Sequence, residues 1–423
     1  MYKKIQIPNG PLLISAPRSG TSAITLLVLV PVGSRYEEKA INGSSHFVEH
    51  LMFKGTEKRP TSLDLTKELD AVGAEYNAYT SKDHTGYYIK ASADHVELAY
   101  DILSDMVRNS KFDPAEVQKE RQVIVEEINM YEDNPLMHVE NLFEEAVFGK
   151  NHPMGWNIAG PREVIKTVPR DRLYGYYQTH YHPRRMVVTV AGKFRPAQVA
   201  ALTKRHFTLA TPPPPVGKFL AFRGRQTRPR AVVWHKETEQ VQLCLGFPSY
   251  PYGHKNSPAL TLLSVILGGN MSSRLFTSVR EKHGLAYFIK ASSSPYQDTG
   301  AFVVQAGLDK SRLEQAIKLI LHELHMVVSA GVTAKELADA KDFIAGKIVL
   351  ELEDSAHLAE WYGKQQLLQG KIKTPVERLM ELKKVTMPDV QRVAADIFQR
   401  RRCNLALIGP YKDEQPFLKM LSL

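Results

Sequence analysis

The sequence predicts an α+β protein built of two similar halves, each a mixed, largely antiparallel sheet covered by helices. Three observations predict it. A run of four prolines in "TPPPPVGKF" (211–219) falls close to the midpoint of the 423 residues. Similar patterns recur in the same order on either side of it. In both halves, alternating strand-like runs lead directly into long amphipathic helices. Consecutive prolines can neither continue a helix nor pair in a central strand, and they suit a stiff extended connector. The expected division is therefore an N-terminal domain over 1–210, a linker over 211–223 and a C-terminal domain over 224–423.

Taken in order, the first half opens on a β-rich run, "SAITLLVLVPVGSRYE", and the second on "VQLCLGFPSYPYGH". A helical stretch follows around "HFVEHLMF" in the first half and in "PALTLLSVILGGNMSSRLF" in the second. Next come the strand patterns "DHTGYYIKASAD" and "QDTGAFVVQAGLD". Each leads into a helix, "HVELAYDILSDMV" or "SRLEQAIKLILHELHMVV". Each half then closes on a strand, "MVVTVAGKF" (186–194) or "CNLALIGPY" (403–411). Order and spacing agree as well as type, which favours duplication over chance likeness among apolar runs.

Composition narrows the class. Hydrophobic residues make up 43% and charged residues 24%, ordinary for a soluble globular chain. The net charge of +10 raises the question of a nucleic-acid partner, but Lys and Arg are scattered, with nothing denser than "QRRRC" at 399–403. A solvated basic surface is expected, and no nucleic acid. The two cysteines, Cys244 and Cys403, lie in apolar strand-like runs; they predict buried thiols in a reducing compartment, not a disulfide framework or a Cys-based zinc site. "MYKKIQIPNG" carries no apolar signal region, and "AITLLVLVPVG" is too short for a membrane span. The expectation is a cytoplasmic protein without a membrane partner.

The chemistry centres on "HFVEH", residues 46–50. With "SSHFVEHLMFKG" on a helix, Ser44 or Ser45 can cap its start and Gly55 can end it. His46 and His50 then lie one turn apart on one face, close enough to hold one metal ion. Glu49 can point at the same place without ligating, as a general base acting on a metal-bound water must. The competing reading is two histidines on the polar face of a surface helix. A catalytic zinc site needs a third protein ligand. The helix "PAEVQKERQVIVEEINMYED" (114–133) offers one. Its apolar stripe runs through Val117, Ile124, Ile128 and Tyr131; with Ile124 at zero, Glu120 falls at about −40°, Glu127 at about −60° and Glu126 at about 200°. Two carboxylates on a core-facing stripe ask for a cation. Glu127 is the expected ligand, and Glu120 the carboxylate that orients a histidine behind it. A wet stripe edge, marked by Glu116, is the alternative.

Other histidine pairs are weaker. "HELH" at 322–325 reads as the surface of an amphipathic helix, and "THYHP" at 179–183 as a turn before a strand. No Walker-type glycine loop and no G-x-S-x-G elbow is present.

"HFVEH" followed by "LMFKGT", with "ERQVIVEE" some distance on, resembles the inverted zinc motif H-x-x-E-H of the inverzincins, the pitrilysin-type (M16) metallopeptidases, and in particular the small bacterial relatives of mitochondrial processing peptidase. "GAEYNAYTSKDHTGYY" resembles that family's edge strand, on which substrate peptides lie, and "SSRLFTSVREKHGLAY" its Arg/Tyr pair. The likeness spans nearly the whole chain, with four motifs in order.

The resemblance implies a zinc endopeptidase with one Zn2+ per chain, bound by His46, His50 and Glu127. It implies Glu49 as base, Glu120 in support, and Arg280 and Tyr287 as donors to the substrate carbonyls and the developing oxyanion. It further implies peptides bound as an added strand along Asn77, Ala78, Tyr79 and Thr80. Two chains would close into a chamber, the zinc-bearing half of one facing the Arg/Tyr half of the other. Both halves' motifs are in this chain, which favours a homodimer. Without the resemblance, Gly284 would simply end a helix and Tyr287 would pack in the core. Two departures bear on substrate: a basic chain argues against basic presequences, and "LGGNMSS" does not reproduce the long glycine-rich loop of the processing enzyme's noncatalytic subunit. A catalytically silent, core-type subunit of the same family is the alternative, but such members lose ligands or base, and here His46, Glu49, His50, Glu120 and Glu127 are all present.

Overall fold

The computed structural model describes residues 2–422. Among the described residues, eleven strands form two sheets. The first contains β1 (Lys3–Gln6), β2 (Leu12–Pro17), β3 (Ala23–Val30), β4 (Glu75–Thr80), β5 (Thr85–Ser92) and β6 (Val187–Gly192), in the order β1-β2-β6-β3-β5-β4. The second contains β7 (Arg230–His235), β8 (Gln240–Ser249), β9 (Ala286–Pro295), β10 (Gly300–Asp309) and β11 (Asn404–Gly409), in the order β7-β11-β8-β10-β9. The orders superimpose strand for strand once β1 is set aside: β2 matches β7, β6 matches β11, β3 matches β8, β5 matches β10 and β4 matches β9. Each sheet has one parallel pair at the matching place, β2 with β6 and β7 with β11; the other pairings are antiparallel. The expected α+β architecture of two similar sheets is what the chain forms.

Helices α1 (Ser44–Leu51), α2 (Ser62–Asp70), α3 (Val96–Asn109), α4 (Pro114–Asp133), α5 (Pro135–Phe148), α6 (Arg162–Thr167), α7 (Arg170–His180) and α8 (Pro196–Phe207) occupy the first half of the sequence. The second half carries α9 (Ser257–Gly268), α10 (Leu313–Ala330), α11 (Ala334–Glu351), α12 (Ser355–Gln369), α13 (Pro375–Lys384), α14 (Met387–Ile397) and α15 (Gln415–Ser422). No single helix among the described residues is long and apolar enough to cross a membrane.

The compact units are not the two contiguous halves. One unit comprises Met1–Ile128, Asn157–Leu220 and Val349–Thr374; the other comprises Asn129–Trp156, Ala221–Ile348 and Pro375–Leu423. Helix α5 follows α4 in the first half yet packs on β8 and β11 of the second sheet, where Val139, Leu142, Phe143 and Val147 join Cys244, Ala406 and Ile408 in one core. Helix α12 belongs to the second half yet packs on β3 and β6, with Ala359 and Tyr362 against Ile14, Leu27, Leu29 and Val187. Its close approach requires Gly363: a Cβ there would lie 2.7 Å from Thr189 Oγ1 and 2.9 Å from Leu29 Cδ1. The proline-rich stretch is divided as well, with 211–220 in the first unit, where Arg35 stacks 3.7 Å from the Phe219 ring centroid.

The core that seats the polar motif lies in the first unit. It joins the inner face of the first sheet (Leu26, Val28, Val30, Ile89) to Phe47, Val48 and Leu51 of α1 and to Val117, Ile124 and Ile128 of α4. The two helices that carry the polar motif are therefore anchored by the apolar residues interleaved with it. Both cysteines are buried and unbridged.

Candidate metal centre

Helix α1 is not capped by a serine side chain. Its N-cap is Gly43, left-handed at φ 98°, with no side-chain cap. Ser44 and Ser45 are its first residues, and Ser44 Oγ donates to the Ile41 carbonyl. The buried Glu37 carboxylate does the capping: it accepts from Ser45 N at 2.6 Å, Gly43 N at 2.7 Å and Asn42 Nδ2 at 2.9 Å. A carboxylate at a helix N-terminus meets both the free N–H groups and the positive end of the dipole. Burial pushes its pKa up, against those hydrogen bonds. The helix ends at Leu51, short of Gly55.

On α1, His46, Glu49 and His50 are half-buried while Phe47, Val48 and Leu51 are in the core. Helix α4 opens with Pro114, and Asp113 Oδ1 accepts from Ala115 N at 2.9 Å. The stripe predicted from the sequence is present: Val117, Glu120, Ile124 and Ile128 are buried, Glu127 is half-buried and Glu126 is exposed.

The two helices bring three donor atoms together. His46 Nε2 and His50 Nε2 are 3.2 Å apart; Glu127 Oε2 is 3.3 Å from His50 Nε2 and 3.6 Å from His46 Nε2. Ligands about 2.0–2.1 Å from a tetrahedral Zn2+ are separated from one another by about 3.3 Å. The three separations thus match one face of a zinc tetrahedron, and the group could hold a metal ion.

The surrounding groups fix the ligands. Glu120 Oε1 accepts from His50 Nδ1 at 2.8 Å, which turns Nε2 toward Glu127 and His46. Lys54 Nζ lies 2.6 Å from Glu120 Oε2. Burial alone would raise the Glu120 pKa, but His50 and Lys54 outweigh it and hold the carboxyl below its usual range. The hydrogen bond from His50 likewise lowers Glu127. Burial disfavours protonated His50, yet Glu120 and Glu127 together raise its pKa to about 9. Burial, with the neighbouring His50 charge, lowers His46 to about 4. One imidazole is therefore held neutral beside a strongly paired one. His46 Nδ1 is buried without a hydrogen-bond partner among the described residues.

Glu49 is raised above the ordinary carboxylate value, chiefly by burial, and its Oε2 accepts a hydrogen bond from Thr80 Oγ1. Thr80 ends β4, the edge strand of the first sheet, together with Asn77, Ala78 and Tyr79. Asn77 is exposed, and its Oδ1 accepts from Ala78 N at 2.8 Å. The Tyr79 ring packs over Gly86, where a Cβ would lie 2.5 Å from Tyr79 Cζ, and Lys364 Nζ sits 4.7 Å from its centroid.

Arg280 and Tyr287 belong to the second unit. Arg280 lies in a π-helical segment, Phe276–Lys282, and its guanidinium is 5.8 Å from the Tyr287 ring centroid. Tyr287 is on β9, at the sheet edge that matches β4, and is 73% exposed, so it is not a core tyrosine.

Sequence reasoning missed Glu37 and Lys54. Lys54 continues the His46–His50 spacing by one more step of four, a signal that was available. Glu37 lies on a loop with no periodicity to flag it.

Two family models match the chain: one described as insulinase (peptidase family M16) over residues 12–162, and one described as the peptidase M16 inactive domain over residues 167–344. A Bacillus subtilis (strain 168) protein named an uncharacterized zinc protease is 35% identical over 97% of this chain and 98% of its own. A Streptomyces coelicolor protein of the same description is 36% identical over 98% and 90%. Among solved structures, a protease from Helicobacter pylori has a TM-score of 0.90 at 24% identity, covering 97% of this chain and 99% of its own. A peptidase M16 inactive domain from Pseudomonas fluorescens has a TM-score of 0.88 at 17% identity, covering 97% and 98%.

Proposed function

The chain belongs to the M16 peptidase family, that of the insulinase-type zinc proteases, and from that premise we propose that it is a zinc-dependent endopeptidase acting on peptides or small unfolded polypeptides. The observation that carries the proposal is the tetrahedral spacing of His46 Nε2, His50 Nε2 and Glu127 Oε2, braced by Glu120. These three residues would hold one Zn2+ per chain. When bound, the ion supplies Lewis acidity that polarises the scissile carbonyl and acidifies a water.

The remaining steps fall to the chain's own groups. Glu49 takes the proton of the attacking water at its carboxylate and passes it to the leaving amine. Its raised pKa suits a group that must both accept and release a proton. Thr80 holds the Glu49 carboxylate in place. Glu120 keeps His50 in the tautomer that offers Nε2. Substrate adds as a strand along Asn77–Thr80, displacing the Asn77 side chain from Ala78 N. The unpaired side of β4 and the reach of Thr80 from that strand to the base support this. Tyr287 donates to the oxyanion and Arg280 to substrate carbonyls, delivered across a homodimeric chamber. The exposure of Tyr287 and the presence of both motifs in one chain favour this over a heterodimer. Two unbridged cysteines favour a cytoplasmic site of action.

The test is zinc content and hydrolysis of a quenched-fluorescence peptide by wild type and by Glu49→Gln. The variant is expected to keep its zinc and lose about 10²–10⁴-fold in kcat. Wild type that binds zinc yet turns over peptide no faster than the variant would return the chain to the noncatalytic members of its family.

A further inference from the structure

The second unit contains a cavity of about 310 Å3 that no step above uses. It lies between the outward face of α10, the segment before β11 and the last turn of α15. Its volume is at the lower end of the roughly 300–1,000 Å3 typical of small-molecule sites. The walls are apolar: Phe247, Leu321, Leu324, Val328, Phe398 and Leu421. The polar groups among the lining residues are of one kind. Lys318, His322, His325 and Arg400 stand around the cavity, and among the described residues no carboxylate lines it.

The rim opens onto a wider cationic surface. A shallower depression shares Lys318 and His322 with the cavity and adds His283 and Arg312. On the other side, Arg400, Arg401 and Arg402 follow one another in sequence. The chain brings Arg228 beside them: Gln226 Nε2 donates to the Cys403 carbonyl at 3.2 Å, and Asn404 Nδ2 to Gln226 Oε1 at 3.1 Å. Arg228, Arg400, Arg401 and Arg402 have no ion-pair partner among the described residues, although carboxylates are plentiful elsewhere on the chain. Arg401 is satisfied by the Gln399 side chain and Arg402 by the Asp396 and Pro248 carbonyls. Carboxylates do reach the neighbouring depression: Glu314 lines it and pairs with Lys318 at 2.6 Å, and Asp309 pairs with Arg312 at 3.1 Å, all four side chains well exposed and the pairs correspondingly weak. A greasy pocket lined by Arg400, which has no ion-pair partner among the described residues, and by the exposed, weakly paired Lys318 is complementary to a molecule with an apolar body and an anionic head.

We propose that this pocket binds a single-chain anionic amphiphile of the fatty-acid type, the hydrocarbon lying between Leu324 and Phe398 and the carboxylate at Arg400 and Lys318. The cavity volume of about 310 Å3 argues for a free amphiphile over a bilayer surface, which would meet the arginines without filling the pocket. It is a second site, on a different unit from the metal ligands.

Isothermal titration of the full-length zinc-loaded protein with decanoate, kept below its critical micelle concentration, tests this. Acetate and 1-decanol serve as the head-only and tail-only probes. Decanoate is expected to bind at least about ten-fold more tightly than either, and to weaken with added salt. Arg400 is exposed, so Arg400→Glu should fold normally and weaken decanoate about ten-fold or more. Leu321→Ala should weaken it by a smaller factor while leaving the salt dependence unchanged. Binding of acetate or decanol as tight as decanoate, or an unchanged affinity in Arg400→Glu, overturns the proposal. So does co-sedimentation with phosphatidylglycerol vesicles that decanoate fails to compete.

Discussion

The two sheets share one strand order, yet the helices that follow their third-position strands have opposite contents. Counting from the first residue of each helix, His46, Glu49 and His50 of α1 stand where α9 has Ala259, Leu262 and Leu263, all three in the apolar core. The same count places Glu120 and Glu127 of α4 opposite Ala340 and Lys347 of α11. The scaffold therefore does not require polar groups at these places, because the second unit fills them with hydrocarbon or sends a lysine outward. The first unit accepts the cost of half-burying two imidazoles and two carboxylates and burying a third, and meets it with specific partners: Glu120 on His50, Lys54 on Glu120 and Thr80 on Glu49. A scaffold that stands without a group, and a group that needs three neighbours to be there, together point to chemistry over stability.

The largest test of that contrast substitutes matching positions. His50→Ala should abolish zinc binding and bring peptide hydrolysis to background while the melting temperature of the zinc-free protein moves little. Leu263→Ala should do the reverse, keeping zinc and costing about 2–5 kcal/mol in urea unfolding. Zinc retained at full stoichiometry in His50→Ala would break the comparison.

A second test asks which residues belong to which unit. Gly363 lies in the second half of the sequence but against β3 and β6 of the first sheet. Gly363→Leu should overpack that contact, by about 1–3 kcal/mol, and in hydrogen exchange the loss of protection should concentrate in β3 and β6, leaving β8 and β10 protected. Loss confined to β8 and β10 would contradict the exchanged helices.

That exchange is where sequence reasoning stopped. The α+β class and the succession of strands and helices along the chain were legible because alternating and 3.6-residue periods are local signals, as was the placing of "HFVEH" on one helix and of Glu120 and Glu127 on one stripe of another. Nothing local distinguishes α5 and α12 from helices that stay with their own half. Each begins at an Asn or Asp cap, Asn134 or Asp354, and ends before a positive-φ glycine, Gly149 or Gly370. Which sheet they cover is decided by packing that only the assembled strands present. The Thr80–Glu49 hydrogen bond was hidden for a related reason: Thr80 was assigned to a substrate strand by likeness, and its side chain reaches the base from a different element.

A smaller effect is expected behind the ligands. Glu120→Gln preserves shape but gives up the charge that pairs with both His50 and Lys54; zinc affinity should fall about 10–100-fold by competition with a chromophoric chelator. Lys54→Met should fall less, because His50 retains its carboxylate partner. Equal losses in the two variants would mean that Lys54, and not the Glu120–His50 bond, organises the site.

The smallest effect compares how the two matching helices α4 and α11 begin. In the first unit Asp113 alone caps α4. In the second, Glu336 accepts from Thr333 N at 2.8 Å while Thr333 Oγ1 accepts from Glu336 N at 3.2 Å, and Arg274 grips the same carboxylate. The bond from Arg274, ahead of the Thr333 contacts, lowers the Glu336 pKa from 4.5 to about 2. A carboxyl whose folded pKa is depressed contributes stability that is fully present above its unfolded value and is lost as pH falls through the folded one. The window is therefore from about pH 4.5 down to about pH 2. The Glu336 side chain is 29% exposed, so partial solvent screening leaves roughly 1 kcal/mol. Urea unfolding of wild type and Arg274→Ala should differ by that amount at pH 6 and converge toward pH 2. A difference that stays constant across the window would assign Arg274 a packing role through its stem, with the charge of Glu336 contributing nothing to the start of α11.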